Sequence, residues 1–395
     1  MDVLIIIGAF QAVFFAVLVL SKKGKSVSDK ILAVWLSVFA AHLAFVYYSF
    51  QSGHVFYIDY GYFPSGAIVI YYTLMYLYTT SLMSEENIFK VKWLLHLIPT
   101  AIVYISVIPF ALLTYKEKAD LVSHMTTDYY LNLVFGIIIL FVTIYLIATL
   151  RLLKRHQVSI RKMFSYEENI NLNWLRILAF LLILLWIIIS GLTAYLYYLG
   201  VTSPLISPED HMILDMQGSS AFVIFVFFLG FFGIKQQVIY STPKANNNYK
   251  VINEYNKSRL RESSSKQEVI LKYGKSGLNE DLASQIYTNL NGLIEETAVY
   301  KNEELTLVEL AKQLKVHPNH LSQVINEMEG KNFYTYINAL RIKEFIKIAA
   351  LPVNKKYTMI SLAYDCGFST KSTFNKHFKL QTGKTPTEFF RKEGN

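Results

Sequence analysis

The chain has 395 residues, of which 53% are hydrophobic and only 17% are charged, and its formal net charge is +9. This balance argues against a wholly soluble globular protein and indicates membrane-spanning segments joined to a more polar region. The single cysteine, Cys366, excludes an intramolecular disulfide framework and a cysteine-rich metal cluster.

Seven apolar segments, each about the length that crosses a bilayer, are predicted in the first 234 residues. They cover residues 3–20, 31–50, 62–83, 91–113, 129–150, 174–199 and 213–234. Lys22, Lys23 and Lys25 follow the first segment, whereas a cleavable signal peptide carries its positive charges in front. The first segment is therefore predicted to be a retained span with its N-terminus outside the cell.

The loops between the predicted spans support this orientation. With the N-terminus outside, 13 Lys and Arg residues fall on the cytoplasmic side, and only Lys116 and Lys118 fall on the opposite side. Such a bias follows the positive-inside rule. We therefore expect a multi-pass protein of the bacterial inner membrane whose C-terminal region lies in the cytoplasm.

Polar and tyrosine side chains in or near the spans are candidates for detecting a signal, because polar groups are costly in lipid and usually face the bundle interior. The candidates are His42, Tyr47, Tyr48, Asn132, Asp215 and Gln217. Two simpler interpretations stay open. The polar groups could only hold the helices together by hydrogen bonds, and the tyrosines could anchor the spans at the membrane interface.

The positive charge belongs to the C-terminal part of the chain. Residues 1–234 carry 14 Lys and Arg against 13 Asp and Glu, a balance of +1, and residues 235–395 carry 24 against 16, a balance of +8. Residues 235–277 are polar and basic, which predicts a cytoplasmic linker. A separate helical domain is predicted over residues 278–395.

The first half of this domain contains a predicted helix-turn-helix over residues 306–328. Thr306 is suited to cap its first helix, and Pro318 is suited to the first position of its second helix. Leu321 and Ile325 are four residues apart and predict the buried face of that second helix.

A second unit with the same pattern is predicted over residues 358–379, where Thr358 is the capping residue and Gly367 makes the turn. Phe374 and Phe378 repeat the spacing of the first unit, 53 residues further along the chain. One helix over residues 332–350 connects the two units. Its length suits two recognition helices that enter successive major grooves of DNA.

The second unit resembles the second helix-turn-helix of the AraC/XylS family of bacterial transcription regulators. The resemblance is carried by Ala363, Gly367, Phe368, Phe374, Phe378, Lys379, Gly383, Thr385 and Pro386, and in the connecting helix by Tyr336, Leu340, Arg341 and Ile342. It covers about residues 278–392 and implies a double helix-turn-helix DNA-binding domain. Joined to a seven-span front, it is similar to membrane-anchored AraC-type regulators known from Bacteroidetes-like bacteria. His317 departs from the family, which often has Ser at that cap.

The residues predicted to contact DNA are Asn319, His320, Gln323, Arg341, Thr370, Lys371, Ser372, Asn375 and Lys376. Asn and Gln suit adenine edges, and Lys suits guanine or phosphate. Residues 278–330 hold 3 basic against 9 acidic residues, whereas residues 331–395 hold 12 against 4. Because phosphate neutralisation supplies much of the affinity, the second unit is expected to anchor the domain and the first to read bases.

The sequence thus predicts an all-α protein with a seven-helix transmembrane bundle, a polar linker and a two-unit helix-turn-helix domain. We expect a regulator that couples a small-molecule or envelope signal to promoter binding, with double-stranded DNA, the lipid bilayer, RNA polymerase and a second copy of the chain as partners. No catalytic residue, metal site or cofactor is predicted.

Other interpretations of the same sequence stay open. One is a seven-span transporter or receptor whose cytoplasmic module binds protein instead of DNA. Another is an intramembrane enzyme that uses Asp59 and Asp215, although both lie near span ends and no motif pairs them. For the regulator, the signal could act by dimerisation of tethered domains or by proteolytic release within residues 235–277.

Overall fold

The computed structural model describes residues 2–60, 65–84, 88–123, 129–167, 170–202, 208–236 and 278–391, and the regular elements in these ranges are helices. The chain divides into two compact units. One unit comprises Met1–Lys154 with Leu172–Ser241, and the other comprises Arg155–Asn171 with Thr242–Asn395. Residues 237–277, most of the predicted linker, lie outside the described residues.

The first unit is built mainly from apolar helices, together with one short polar helix. They are α1 (Asp2–Ser21), α2 (Val27–Tyr60), α3 (Ser65–Leu82), α4 (Ile98–Ala111), α5 (Tyr115–Ser123), α6 (Tyr129–Met163), α7 (Asn173–Thr202) and α8 (Pro208–Lys235). The last part of α6, from Arg155 onward, belongs to the second unit. A 3₁₀ helix, Val91–Leu97, leads directly into α4. Helix α2 is broken at Gly53, whose φ of 81° is not helical.

Within the described residues, five helical segments are long and apolar enough to cross a membrane: Asp2–Ser21, Val27–Gly53, Val91–Ala111, Asn132–Met163 and Gly218–Lys235. They coincide with five of the predicted spans. Helices α3 and α7 occupy the positions of the third and sixth, and the apolar stretch described in α7, Asn173–Ile188, is shorter. A bundle of seven spans therefore stays a prediction.

Aromatic side chains fix the packing of α2, α3 and α8. The rings of Phe39 and Tyr71 are stacked with centroids 4.0 Å apart, and Phe225 lies 5.5 Å from Phe39 and 6.0 Å from Trp35. Trp35, Phe39 and Tyr71 are fully buried. Contacts of this kind add to the stabilisation that comes from the buried area itself.

The second unit contains shorter helices with well-defined caps. They are α9 (Glu280–Thr297), α10 (Leu307–Gln313), α11 (Pro318–Glu329), α12 (Phe333–Ala349), α13 (Met359–Asp365), α14 (Lys371–Thr382) and α15 (Pro386–Phe390). The hydroxyl oxygens of Thr306, Thr358 and Thr370 each accept a hydrogen bond from a main-chain N–H of the helix that follows. Pro318 begins α11. The predicted roles of Thr306, Thr358 and Pro318 are confirmed.

Helix α12 takes part in two hydrophobic cores of this unit. Its first half contributes Phe333, Tyr336 and Ile337 to a core formed with α9, α10 and α11. Its second half contributes Ile342 and Phe345 to a core formed with α13 and α14. Each helix pair is thus packed on one half of the same helix.

Gly367 forms the turn between α13 and α14 with a φ of +92°, as the sequence predicts. A Cβ atom at this position would lie 2.7 Å from the carbonyl oxygen of Lys301 and 2.8 Å from that of Tyr300. Glycine is therefore required here for two reasons. A side chain is disfavoured at this positive φ, and a Cβ atom would also collide with main-chain atoms.

Gly367→Ala is expected to destabilise α13 and α14 by about 3 kcal/mol. The matched control is Gly383→Ala, since Gly383 has a φ of +76° but nothing within 4 Å of an added Cβ. This control is expected to cost about 1 kcal/mol. Amide hydrogen exchange of the detergent-solubilised chain measures both effects. Equal losses of protection in the two variants would refute the steric account.

Candidate nucleic-acid interface

Helix α14 presents a basic face on the side opposite its buried residues. Phe374, His377 and Phe378 are buried. Lys371, Ser372, Lys376 and Lys379 are exposed, and Asn375 is half-buried. The helix begins after Thr370, whose hydroxyl accepts the Thr373 N–H at 3.3 Å. The amphipathic spacing therefore leaves lysine, serine and asparagine side chains available on one helix surface.

The outer face of α14 also forms one wall of an open groove. The groove is also lined by residues at the N-terminal ends of α13 and α15, among them the cap residues Thr358 and Thr385. Lys371, Asn375, Lys376 and Lys379 of α14 line its other side. Three of these lining side chains are lysines. Such a groove has the charge that a polyanion requires.

Helix α11 is polar rather than basic on its accessible side. Asn319, His320 and Gln323 are each half-buried. The Gln323 side-chain amide donates to the Glu327 carboxylate at 3.1 Å. Because Gln323 is held by a neighbour one turn away, its amide group is oriented before any ligand arrives.

His317 performs the capping role at the start of α11. Its Nδ1 atom accepts the N–H of Asn319 at 3.3 Å, which requires that nitrogen to be unprotonated. Burial, and then the charge of His320, lower the pKa of His317. Both effects favour the neutral ring, which is the form that accepts this capping hydrogen bond.

Arg341, predicted to contact DNA, is instead part of the protein interior. Its side chain lies on α12 and is 1% exposed. The guanidinium group donates to the carbonyl oxygens of Tyr300 at 2.8 Å and Asn302 at 2.7 Å, and to Asn338 Oδ1 at 3.2 Å. It also donates to the carbonyl and hydroxyl oxygens of Ser165, at 3.2 Å and 3.0 Å. The prediction is corrected because a guanidinium enclosed by main-chain acceptors does not reach DNA.

Cys366 lies in the core between α12, α13 and α14 and is fully buried. Burial raises the pKa of its thiol to about 12. A reactive cysteine requires the opposite conditions, exposure and a lowered pKa. Cys366 therefore serves as a small apolar core residue.

The candidate sensing residues occupy different surroundings in the first unit. His42 is hydrogen-bonded to the hydroxyl of Tyr71, a partner that sequence reasoning did not identify. Tyr47 packs against the apolar cluster of α1, α2 and α8, and Tyr48 is 58% exposed. Asn132 is exposed on α6. The side chains of Asp215 and Gln217 lie outside the described part of the chain.

Comparison with known proteins assigns a domain type to the second unit. Residues 310–392, from within α10 to just beyond α15, match the family model of a helix-turn-helix domain. The uncharacterized transcriptional regulatory protein YesN of Bacillus subtilis (strain 168) is 30% identical over 95 residues, which are 24% of this chain and 25% of that protein. An uncharacterized HTH-type transcriptional regulator of Staphylococcus aureus (strain COL) is 28% identical over 115 residues, 29% of this chain and 14% of that protein.

The similarity to these relatives covers less than a third of this chain. The chain spans a quarter or less of the length of each curated relative described above. No solved structure matches the chain. Residues 310–392 of the second unit are therefore a helix-turn-helix domain by sequence similarity, and the basic face of α14 is the candidate interface of that domain.

Arg341→Ala is expected to destabilise the second unit by about 3 kcal/mol, because the buried acceptors around the guanidinium lose their donor. Lys343→Ala is the matched control, since Lys343 is exposed on the same helix and should change stability by less than about 0.5 kcal/mol. Pulse proteolysis of the solubilised chain across a urea series measures the change. An unaltered urea midpoint for Arg341→Ala would restore it as a candidate DNA contact.

Proposed function

We propose that the chain is a membrane-anchored DNA-binding transcriptional regulator with an AraC-type domain. The observation that carries the proposal is the match of residues 310–392 to a helix-turn-helix domain, within which α14 exposes its lysines. Both relatives described above are named as transcriptional regulators. The N-terminal helices serve as anchor and sensor, and the signal is a small molecule or an envelope condition.

In this proposal, α14 enters the major groove and supplies most of the phosphate neutralisation. Lys371 and Lys376 contact phosphate or guanine, and Asn375 suits an adenine edge. Thr370 and Ser372, at the start of the helix, hydrogen-bond to the DNA backbone. The half of the domain that contains these residues carries 12 basic against 4 acidic residues, and its positive charge suits phosphate binding.

Helix α11 then reads bases in a neighbouring major groove. The two helix pairs pack on opposite halves of α12, which has 17 residues and is about 25 Å long at 1.5 Å per residue. Successive major grooves on one side of DNA are about 34 Å apart. The length of α12, together with the width of the two helix pairs packed on it, suits the placement of α11 and α14 in two successive grooves. Asn319, His320 and Gln323 are the proposed base-contacting residues.

The membrane part of the proposal is supported by hydropathy and charge. Five described segments are long and apolar enough to span, and the Lys and Arg bias between the predicted spans favours an external N-terminus and a cytoplasmic C-terminal domain. At a promoter, the domain acts with RNA polymerase, and two tethered copies bind more tightly than one through effective concentration. The proposed role is binding and regulation, without catalysis.

Lys376→Ala is expected to weaken DNA binding and to reduce the slope of log affinity against log salt by about one, because one phosphate contact is lost. Gln323→Ala is expected to reduce discrimination between base sequences by about 1–3 kcal/mol, with the salt slope unchanged. Fluorescence anisotropy of the solubilised full chain with duplexes selected from a random library measures both.

Lys301→Ala is the matched control for the loss of one positive charge, because Lys301 lies outside the basic face of α14 and is held by Glu344 at 2.9 Å. This variant should leave the salt slope unchanged. Wild-type protein that selects no duplex, even at low salt, would contradict DNA binding. Equal salt-independent losses in Lys376→Ala and Gln323→Ala would contradict the division between anchoring and base-reading helices.

A further inference from the structure

A short stretch from the N-terminal part of the sequence belongs to the DNA-binding unit. Residues 164–167, called here the docking segment, follow α6 and precede α7 in the sequence. They lie in the same compact unit as α9–α15. Phe164 is 1% exposed, Ser165 is fully buried and Glu167 is 7% exposed. Side chains of a connecting segment are usually solvated, so this burial calls for a specific partner.

The partner of the docking segment is the turn before α10. Phe164 forms an antiparallel bridge with Thr306, and the Ser165 N–H donates to the carbonyl oxygen of Leu305 at 3.1 Å. The segment therefore pairs with domain main chain as a short added strand would. The main-chain pairing therefore fixes which residues of the docking segment lie opposite Leu305 and Thr306.

Helix α12 holds the other side of Ser165. The Asn338 side-chain amide donates to the Ser165 carbonyl oxygen at 3.0 Å. The Arg341 guanidinium donates to the same oxygen at 3.2 Å and to the Ser165 hydroxyl at 3.0 Å. Asn338 and Arg341 are themselves buried. Hydrogen bonds to a buried charged donor are among the stronger ones in proteins.

The last residue of the docking segment reaches the proposed DNA-binding face. Glu167 Oε2 lies 3.8 Å from the Nζ atom of Lys376, and Glu167 Oε1 lies 2.5 Å from Nε of Arg161. The carboxylate thus stands beside the ammonium group proposed to contact phosphate. A DNA phosphate that approaches Lys376 therefore competes with the Glu167 carboxylate for the same ammonium group.

We propose that the docking segment is an intramolecular inhibitor of DNA binding, which holds Lys376 through Glu167 until the segment leaves the domain. This inference rests on the proposed function and adds its regulation. Because the segment connects α6 to α7, a rearrangement of these helices acts on it through the covalent chain. A signal received by the helices is thereby passed to the domain without proteolysis.

The buried guanidinium of Arg341 keeps hydrogen-bond acceptors within the domain when the docking segment leaves. Arg341 keeps the carbonyl oxygens of Tyr300 and Asn302 and the side-chain oxygen of Asn338 as acceptors. Ser165 and Glu167 are polar and become solvated, and Glu167 can keep its ion pair with Arg161, which lies near the end of α6. Undocking therefore leaves the principal buried donor satisfied, as a two-state device requires.

The first test measures the affinity of the full chain for mixed-sequence duplex DNA in detergent at low salt. Glu167→Gln, which keeps the shape and removes the charge, is expected to tighten binding about two- to fivefold, the effect of one ion pair. In a Lys376→Ala background the same substitution should have no effect. The double-mutant cycle formed by the two single variants and the double variant isolates the Glu167–Lys376 interaction from other effects of either substitution.

The outcomes separate this inference from the proposed function. If Lys376→Ala weakens binding but Glu167→Gln leaves it unchanged, the inhibitory contact is refuted and DNA binding stands. If Glu167→Gln tightens binding equally with and without Lys376, the segment does not act through that lysine and the inference fails. If no form binds DNA, the proposed function and the inference both fail.

A second measurement follows undocking directly. Ser165→Cys introduces a thiol at a fully buried position, and the native thiol of Cys366 is also fully buried. Maleimide labelling of the variant, with the parent chain as blank, is expected to be slow without DNA and to accelerate when duplex DNA is added. A labelling rate that is the same with and without DNA, whether slow or fast, would overturn the inference.

Discussion

The buried guanidinium of Arg341 is the interaction on which the second unit depends. An unpaired charge in a protein interior is strongly unfavourable, whereas a guanidinium that donates to several acceptors becomes a rigid centre. Here it joins α12 to Tyr300 and Asn302, at the turn after α9, and to Ser165 of the docking segment. The same turn meets Gly367 so closely that a Cβ atom has no room. One side chain thus connects helix α12, the turn after α9 and the docking segment.

Local sequence signals predicted the helices of the second unit, but they could not predict contacts between residues that are far apart in the chain. Thr358 as cap and Gly367 as turn follow from capping and backbone preferences that act within a few residues. The helix between the predicted cap and the predicted turn is α13, Met359–Asp365. Arg341 was misassigned because an arginine in an amphipathic helix has the same pattern whether it meets DNA or main-chain carbonyls. The docking segment was missed because its partners lie more than a hundred residues away in the chain.

In the first unit, hydropathy located the helices but not their contacts. A run of apolar residues in lipid forms a helix because its main-chain N–H and C=O groups must hydrogen-bond to one another. Which helices meet depends on the shapes of side chains such as Phe39 and Tyr71, and no periodicity encodes that pairing. The hydrogen bond between His42 and Tyr71 gives one sensing candidate a specific neighbour. The orientation in the membrane rests on lysine and arginine placement alone.

The central claim is that the intact chain binds promoter DNA while it stays in the membrane. The most direct measurement cross-links cells that express an epitope-tagged chain, recovers the intact chain from the membrane fraction, and sequences the DNA attached to it. The account predicts a limited set of enriched promoter regions that disappear in the Lys371→Ala, Lys376→Ala double variant, with the variant still present in the membrane fraction. Membrane-recovered intact chain without enriched DNA, or enrichment only on a soluble fragment, would contradict it.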